Sequence, residues 1–146
     1  MRAAVIDASV AVKWVVADDH SDRALAVLRD VMSLHAPAHW LAEAATALWA
    51  LAAVHHIITP ADFQTRIAFL ASLPITVAPL PELIGAAGVL AIDLRLTIYD
   101  TLYLALAERL NLPLVTADRK LYERASSTAR KNSPVHWIGD LETASR

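Results

Sequence analysis

Apolar residues in this chain occur as short runs that end at polar residues and as longer stretches with helical spacing. Ala3–Ile6 is a short apolar run ended by Asp7, which predicts a buried strand. Residues 10–16 are apolar enough for a short helix or a continuation of that strand. In residues 21–32 the apolar positions are three and four apart, which predicts an amphipathic helix with Ser21 as its N-cap.

The rest of the chain continues this alternation of helices and strands. In chain order we predict a helix over about 39–55 that follows Pro37, a helix begun by Thr59 and Pro60 and ending near Leu70, a strand over 75–77, helices over about 81–94 and 99–110, a strand over 113–116, a short basic helix, and a strand over 135–138.

Strands that alternate with helices are typical of an α/β fold, in which a parallel sheet is covered by helices on both faces. The length of 146 residues fits one domain, and the sequence has no repeat, low-complexity tract or linker, so we expect residues 1–146 to form a single domain. Ligands of such folds lie at the carboxyl ends of the strands. Asp7 and Asp118 each follow a predicted strand, and this places candidate chemistry there.

The composition limits where the protein acts. Hydrophobic residues make up 56% of the chain, but the most apolar stretch, residues 44–54, is shorter than the roughly 18 residues that a membrane span needs. We therefore assign the apolar surplus to a core and to an interface. The chain has no cysteine, and Asp7 interrupts the N-terminal apolar run before a signal peptide forms. Both features favour the cytoplasm.

The charge is nearly balanced, with one basic cluster. A net charge of −2 argues against nonspecific coating of nucleic acid, which usually needs a basic domain. A local positive patch nevertheless stands in one short segment, opposed only by Glu123; a solvated helix face is the usual interpretation of such a cluster. The patch consists of Arg119, Lys120, Arg124, Arg130 and Lys131.

Four acids stand beside predicted core elements: Asp7, Glu43, Asp100 and Asp118. A carboxylate buried without a partner costs several kcal/mol, so such acids need positive charge among them. None of the four segments carries Lys or Arg in the interior of its strand or helix. Hard divalent cations such as Mg²⁺ or Mn²⁺ prefer oxygen ligands, and an ion held here would activate a water and stabilise the leaving oxygen of a phosphodiester.

Each acid also has a purely structural interpretation. Asp7 is a candidate turn residue or cap, and Asp100 and Asp118 are candidate N-caps of the helices that follow them. Glu43 is harder to explain in this way, because an apolar helix gains nothing from one central acid. A structural origin for all four acids needs four separate coincidences.

The same segments resemble the PIN-domain nucleases, and most closely the VapC-type toxins of bacterial toxin–antitoxin pairs. The resemblance covers nearly the whole chain and rests on four motifs in the family's order. These are Val5-Ile6-Asp7-Ala8-Ser9, Pro37-Ala38-His39-Trp40-Leu41-Ala42-Glu43, Tyr99-Asp100-Thr101-Leu102-Tyr103-Leu104-Ala105-Leu106-Ala107, and Leu114-Val115-Thr116-Ala117-Asp118.

The resemblance implies a three-layer fold with a parallel sheet of about five strands, a homodimer, and a cognate antitoxin. It also implies divalent-metal-dependent cleavage of single-stranded or looped RNA. Asp7, Asp100 and Asp118 would hold the ion, and Glu43 would ligate it or orient the attacking water. Ser9 and Thr116 would orient the carboxylates.

One feature departs from the family pattern. Many relatives carry a further acid just after the fourth motif, where this chain has Arg119 and Lys120. This difference favours one bound metal ion over two. We expect Arg119, Lys120 and Arg124 to contact RNA phosphates instead.

Other functions fit the residues less well. A receiver domain needs adjacent acids after its first strand, and a haloacid-dehalogenase-type phosphatase needs a second Asp where this chain has Ser9. A catalytically silent, dimeric PIN-like module that binds RNA or protein remains the alternative function. Tyr99 and Trp40 adjoin the acids and have the chemistry to stack on a base, but we expect both to lie in the core.

Overall fold

The computed structural model describes residues 1–128 and 133–143. Within these residues, five parallel strands form the centre of the fold, in the order β3-β2-β1-β4-β5. The strands are β1 (Ala3–Ile6), β2 (Ser33–Pro37), β3 (Ile75–Ala78), β4 (Leu114–Thr116) and β5 (Val135–Trp137).

In the part of the chain that the structure describes, seven α-helices connect and cover the strands, and the result is a three-layer α/β fold. A π-helical segment, Ala50–Val54, extends α3, and short 3₁₀ turns lie at Leu80–Glu82 and Ile138–Asp140. The helices are α1 (Ala8–Val12), α2 (Ser21–Asp30), α3 (Trp40–Trp49), α4 (Pro60–Ser72), α5 (Ile84–Leu94), α6 (Ile98–Leu110) and α7 (Arg119–Ser126). None of the helices in the described part of the chain is long and apolar enough to cross a bilayer.

The strand order creates a topological switch point beside β1. The chain builds β2 and then β3 on one side of β1 and returns to place β4 on the other side. In open α/β sheets, the crevice at the carboxyl ends of such a strand pair is where ligands bind. The carboxyl ends of β1 and β4 lead directly to Asp7 and Asp118.

Helix α6 forms the centre of the core. Its seven consecutive residues from Thr101 to Ala107 are all buried, and the helix packs across β1, β2 and β4. The Thr101 hydroxyl donates a hydrogen bond of 2.7 Å to the carbonyl of Ala87, which ties α6 to α5. Asn111 ends the helix in the left-handed conformation, with a φ of 53°. Because α6 is fixed along its length, Asp100 in its first turn has a defined position.

Most predicted elements are present, but one strand was missed and one N-cap prediction was wrong. Strand β2 has only two apolar residues in residues 33–36, Leu34 and Ala36, and therefore no continuous apolar run. Their alternation with Ser33 and His35, whose side chains hydrogen-bond to each other at 2.9 Å, is nevertheless the period-two pattern of a half-buried strand. Ser21 is the first residue of α2 and not its N-cap. Its hydroxyl donates to the Val16 carbonyl at 3.0 Å, so it closes the preceding loop.

Candidate functional site

Asp7 occupies the carboxyl end of β1 and is 6% exposed. Its Oδ1 accepts a hydrogen bond from the Ser9 amide at 3.4 Å, which caps α1. Its Oδ2 accepts two more hydrogen bonds, from the Ser9 hydroxyl at 2.9 Å and from the Thr116 hydroxyl at 2.7 Å. Both predicted supporting hydroxyls therefore contact one carboxylate.

The same two hydroxyls tie the end of β4 to the end of β1. Thr116 Oγ1 accepts from the Asp118 amide at 3.0 Å, and Ser9 Oγ accepts from the Ala117 amide at 3.0 Å. Asp118 in turn caps α7, because its Oδ1 accepts from the Leu121 amide at 3.2 Å. The structural interpretation of Asp118 as a cap is thus correct in its geometry, and the cap lies at the switch point. The N-cap of α6, in contrast, is Thr97 and not Asp100.

Glu43 lies in the first turn of α3, and one of its oxygens has two close partners. Its Oε1 accepts a hydrogen bond from the Tyr103 hydroxyl at 2.6 Å and lies 3.1 Å from His39 Nε2, within ion-pair distance. His39 Nε2 forms its hydrogen bond, of 2.9 Å, with the Tyr99 carbonyl. A carbonyl oxygen can only accept, so Nε2 carries the hydrogen and donates it to Tyr99. The Glu43 side chain remains 33% exposed, so the fixed carboxylate still reaches solvent.

Tyr103 acts as a permanent donor to Glu43. Burial and the nearby charges of Asp7 and Glu43 hold the pKa of the Tyr103 phenol far above its usual range. The hydroxyl therefore keeps its proton, and its short bond to Glu43 has a fixed direction. Tyr103 comes from α6 and Glu43 from α3, so this bond joins two of the predicted motifs.

The four predicted acids interact through their charges. Burial raises the pKa of Asp7 to about 6, with a smaller contribution from Glu43, while the hydrogen bonds from Thr116 and Ser9 oppose the rise. Burial, followed by the charges of Asp118 and Glu43, also raises the pKa of Asp100. Acids from β1, α3, α6 and the end of β4 therefore share one electrostatic environment that favours a cation.

The carboxylates do not form a closed ligand shell. Across residues 1–128 and 133–143, no group of three or more histidine or acidic side chains lies close enough together to hold a metal ion as it stands. The donor chemistry still fits a hard divalent cation, because all four groups offer carboxylate oxygens and Asp7 and Asp100 are desolvated. Mg²⁺ usually keeps several waters and binds through one or two carboxylates, so it does not need a complete protein cage.

Of the predicted phosphate-binding cations, Arg119 directly follows Asp118 in the sequence, and Lys120 lies within electrostatic range of Asp100. The guanidinium of Arg119 lies 4.2 Å from the centre of the Trp137 ring, and its Nε is 3.7 Å from Glu123. The charge of Lys120 lowers the pKa of Asp100, so its ammonium is within electrostatic range of the site.

Arg124 is less available to RNA than Lys120. Arg124 donates to the backbone carbonyl of Arg95 at the end of α5, so its guanidinium has a structural contact. Arg130 and Lys131 lie outside the described residues.

Sequence analysis missed Tyr103 as a neighbour of Glu43, because the two residues lie on different helices, α6 and α3. The proximity of His39 to Glu43 is visible in the sequence, since the two residues are one helical turn apart. The expected core position is correct for Trp40, which is 5% exposed, and wrong for Tyr99, which is 62% exposed. Tyr99 is exposed because it lies in the first turn of α6, before the buried stretch Thr101–Ala107 begins.

Comparisons with known proteins agree on the fold. The family model of the PIN domain matches residues 4–126. The structure of PAE2754 from Pyrobaculum aerophilum is similar, with a TM-score of 0.64 and 23% identity over 90% of this chain and 82% of that one. VapC20 of Mycobacterium tuberculosis, a toxin that cleaves the sarcin–ricin loop, gives a TM-score of 0.66 and 13% identity over 85% of this chain and 94% of that one.

A third similar structure is VapBC2 from Rickettsia felis bound to promoter DNA, with a TM-score of 0.61 and 13% identity over 92% of this chain and 98% of that one. Comparison with curated protein sequences gives no match. The match of the family model covers most of the chain and contains all four acids. Together with the five-stranded parallel sheet and the acids at its switch point, it shows that this chain belongs to the PIN-domain family.

Proposed function

We propose that the chain is a metal-dependent endoribonuclease and the toxin of a type II toxin–antitoxin pair. The observation that carries this proposal is the buried Asp7 carboxylate, which lies at the switch point and shares its electrostatic environment with Glu43. Buried acids that repel one another are costly for stability, and a bound divalent cation offsets that cost and also binds an RNA phosphate.

In this proposal Asp7, Asp100 and Asp118 hold one Mg²⁺ or Mn²⁺, and Glu43 ligates the ion or orients the attacking water. The bound ion would supply Lewis-acid activation of water and stabilisation of the leaving oxygen. Ser9 and Thr116 keep the Asp7 carboxylate in one orientation through their hydrogen bonds to Oδ2.

The protein also positions Glu43 and the basic residues of α7. Tyr103 and His39 fix Oε1 of Glu43, and this prevents the carboxylate from turning away from the crevice. Arg119 and Lys120 lie in the first turn of α7 and meet the phosphates of the RNA. Arg124 was expected to do the same, but its contact with Arg95 gives it a smaller part.

The partners in this proposal are an RNA substrate, a cognate antitoxin and a second copy of the chain, all in the cytoplasm. The fold shared with VapC20 and with the VapBC2 complex supports the toxin role. Residues 1–146 act as one catalytic domain. RNA is the proposed substrate because an exposed aromatic and two cations lie around the acids.

A catalytically silent binding module is the second candidate. It is favoured by the lack of a closed metal-ligand group among residues 1–128 and 133–143. The two candidates differ in their effect on RNA. The nuclease cuts RNA and loses this activity when one carboxylate is removed, whereas the binding module does not cut RNA.

Cleavage of a labelled, structured RNA tests the proposal. Wild-type protein with Mg²⁺ or Mn²⁺ is expected to cut, and EDTA is expected to stop cutting. Asp100→Asn should lower the rate at least about 100-fold, because a metal ligand is lost while the side chain keeps its size. The matched control is Asp93→Asn, which changes an exposed acid on α5 and should cut at the wild-type rate. Cutting by Asp100→Asn at the wild-type rate contradicts the site.

The proposed role of Asp7 implies that this carboxylate destabilises the metal-free fold. Because the pKa is raised from 3.8 to about 6, the folded protein disfavours the ionised form, at a cost of about 3 kcal/mol once the group is fully charged. This cost is absent below pH 3.8, grows between pH 3.8 and 6, and is complete above pH 6.

In EDTA at pH 8, Asp7→Asn should therefore have a higher urea midpoint than the wild type. Its free energy of unfolding should be larger by up to about 3 kcal/mol. The difference should shrink at pH 5, where part of the wild-type carboxyl is protonated. Equal urea midpoints at pH 8, or a difference that grows as the pH falls, would contradict the buried charge at Asp7.

Tyr103→Phe tests whether the hydrogen bond to Glu43 orients that acid. The substitution removes one hydroxyl from a buried ring and leaves the packing of α6 in place. Loss of a hydrogen bond to a ligand carboxylate is expected to reduce metal affinity or kcat by about 10- to 100-fold. Tyr122→Phe, on α7, is the control and should change neither quantity. A Tyr103→Phe variant with wild-type affinity for Mn²⁺ and wild-type kcat would show that the bond is only structural.

A further inference from the structure

A cleft of about 370 Å³ adjoins the acids and has no role in the reaction proposed above. It is lined by His39, Ala42, Glu43, Thr46 and Tyr99, so Glu43 belongs both to the acidic site and to the cleft. Its volume lies in the range of about 300–1,000 Å³ that is usual for small-ligand pockets. The cleft opens between the start of α3 and the start of α6.

Tyr99 presents a fixed aromatic ring at this cleft. The ring is 62% exposed, although its backbone is anchored by the hydrogen bond of 2.9 Å from His39 Nε2 to the Tyr99 carbonyl. The His39 and Tyr99 rings lie 5.9 Å apart at 41°. Tyr99 also directly precedes Asp100 in the first turn of α6. An exposed aromatic that is held so close to the reaction centre suits contact with the substrate better than packing.

The residues that line the cleft determine which chemical group fits it. Among residues 1–128 and 133–143, no Lys or Arg lines the cleft, and the acidic Glu43 does, so a phosphate is disfavoured there. The Thr46 hydroxyl donates to the Ala42 carbonyl at 2.9 Å, so it does not demand a ligand. A flat, uncharged group that stacks on an aromatic ring suits this surface best. Unpaired nucleobases are recognised in this way.

We propose that this cleft binds an unpaired nucleobase of the RNA, stacked on Tyr99, next to the phosphate that is cut. The inference rests on the proposed ribonuclease function and deepens it, because it names the part of the substrate that the α3–α6 side recognises. The phosphates are met by α7, where Lys120 interacts with Asp100. Asp100 thus adjoins both the base-binding residue and a phosphate-binding residue.

Binding of single-stranded RNA, followed by fluorescence anisotropy with Mg²⁺, tests the proposal. Asp100→Asn is the background for all variants, so that the RNA is not consumed. Adding Tyr99→Ala should weaken binding by about 10- to 100-fold, because one base loses its stacking partner. Tyr99→Phe keeps the ring and should bind within about twofold of the background. Trp49→Ala is the matched control, since Trp49 is an aromatic of similar exposure, 56%, outside this cleft.

Ala42→Phe is a second variant that tests the cleft, and it leaves the Tyr99 side chain unchanged. Ala42 is exposed at the cleft, so a larger side chain there should block the base and weaken binding as Tyr99→Ala does. RNAs with a single abasic nucleotide locate the base. An abasic nucleotide at one position should weaken RNA binding to the background protein. The same abasic RNA should bind the Tyr99→Ala variant no more weakly than the intact RNA does.

Kinetics in the otherwise wild-type chain provide an independent check. Tyr99→Ala should raise KM and leave kcat nearly unchanged, because stacking contributes equally to the bound substrate and the transition state. If both cleft variants bind RNA like Trp49→Ala while the wild type still cleaves, the nucleobase site is overturned and the ribonuclease proposal stands. A protein side chain would then be the better occupant. If the wild type neither binds nor cleaves RNA, both proposals fail together.

Discussion

The buried carboxylate of Asp7 is the constraint on which the rest of the site depends. It ends the central strand, caps α1, and accepts hydrogen bonds from the hydroxyls of Ser9 and Thr116. These bonds only partly offset the loss of hydration, and the pKa of Asp7 stays raised at about 6. The chain therefore keeps a group that opposes folding at neutral pH. Such a cost is common at functional sites, where a cation or substrate completes the electrostatics.

The sheet topology explains why acids that are distant in sequence share one environment. β1 has β2 on one side and β4 on the other, so the residues after β1 and β4 meet at the switch point. α3 and α6 then bring Glu43 and Asp100 to the same crevice, and the bond from Tyr103 to Glu43 locks the two helices together. Packing and chemistry are linked here, because α6 also has the largest number of buried residues among the helices of the described part of the chain.

The sequence allowed the fold class and four of the five strands to be predicted, because runs such as Ala3–Ile6 are uniformly apolar. Strand β2 was missed because only Leu34 and Ala36 in residues 33–36 are apolar, so this segment has no continuous apolar run. The acids were found from their apolar surroundings, and their roles remain predictions. The contact between Tyr103 and Glu43 depends on how α3 and α6 pack, which residue spacing alone does not give. The exposure of Tyr99 likewise depends on where along α6 the buried stretch begins.

The most direct test of the account is Mn²⁺ binding, followed by the loss of the free-ion EPR signal on titration with protein. The account predicts that one ion binds per chain. It also predicts that Asp7→Asn weakens the affinity at least about tenfold, whereas Asp93→Asn leaves it unchanged. A wild-type chain that binds no Mn²⁺, or an Asp7→Asn chain that binds it equally well, would contradict the claim that these carboxylates form a metal site.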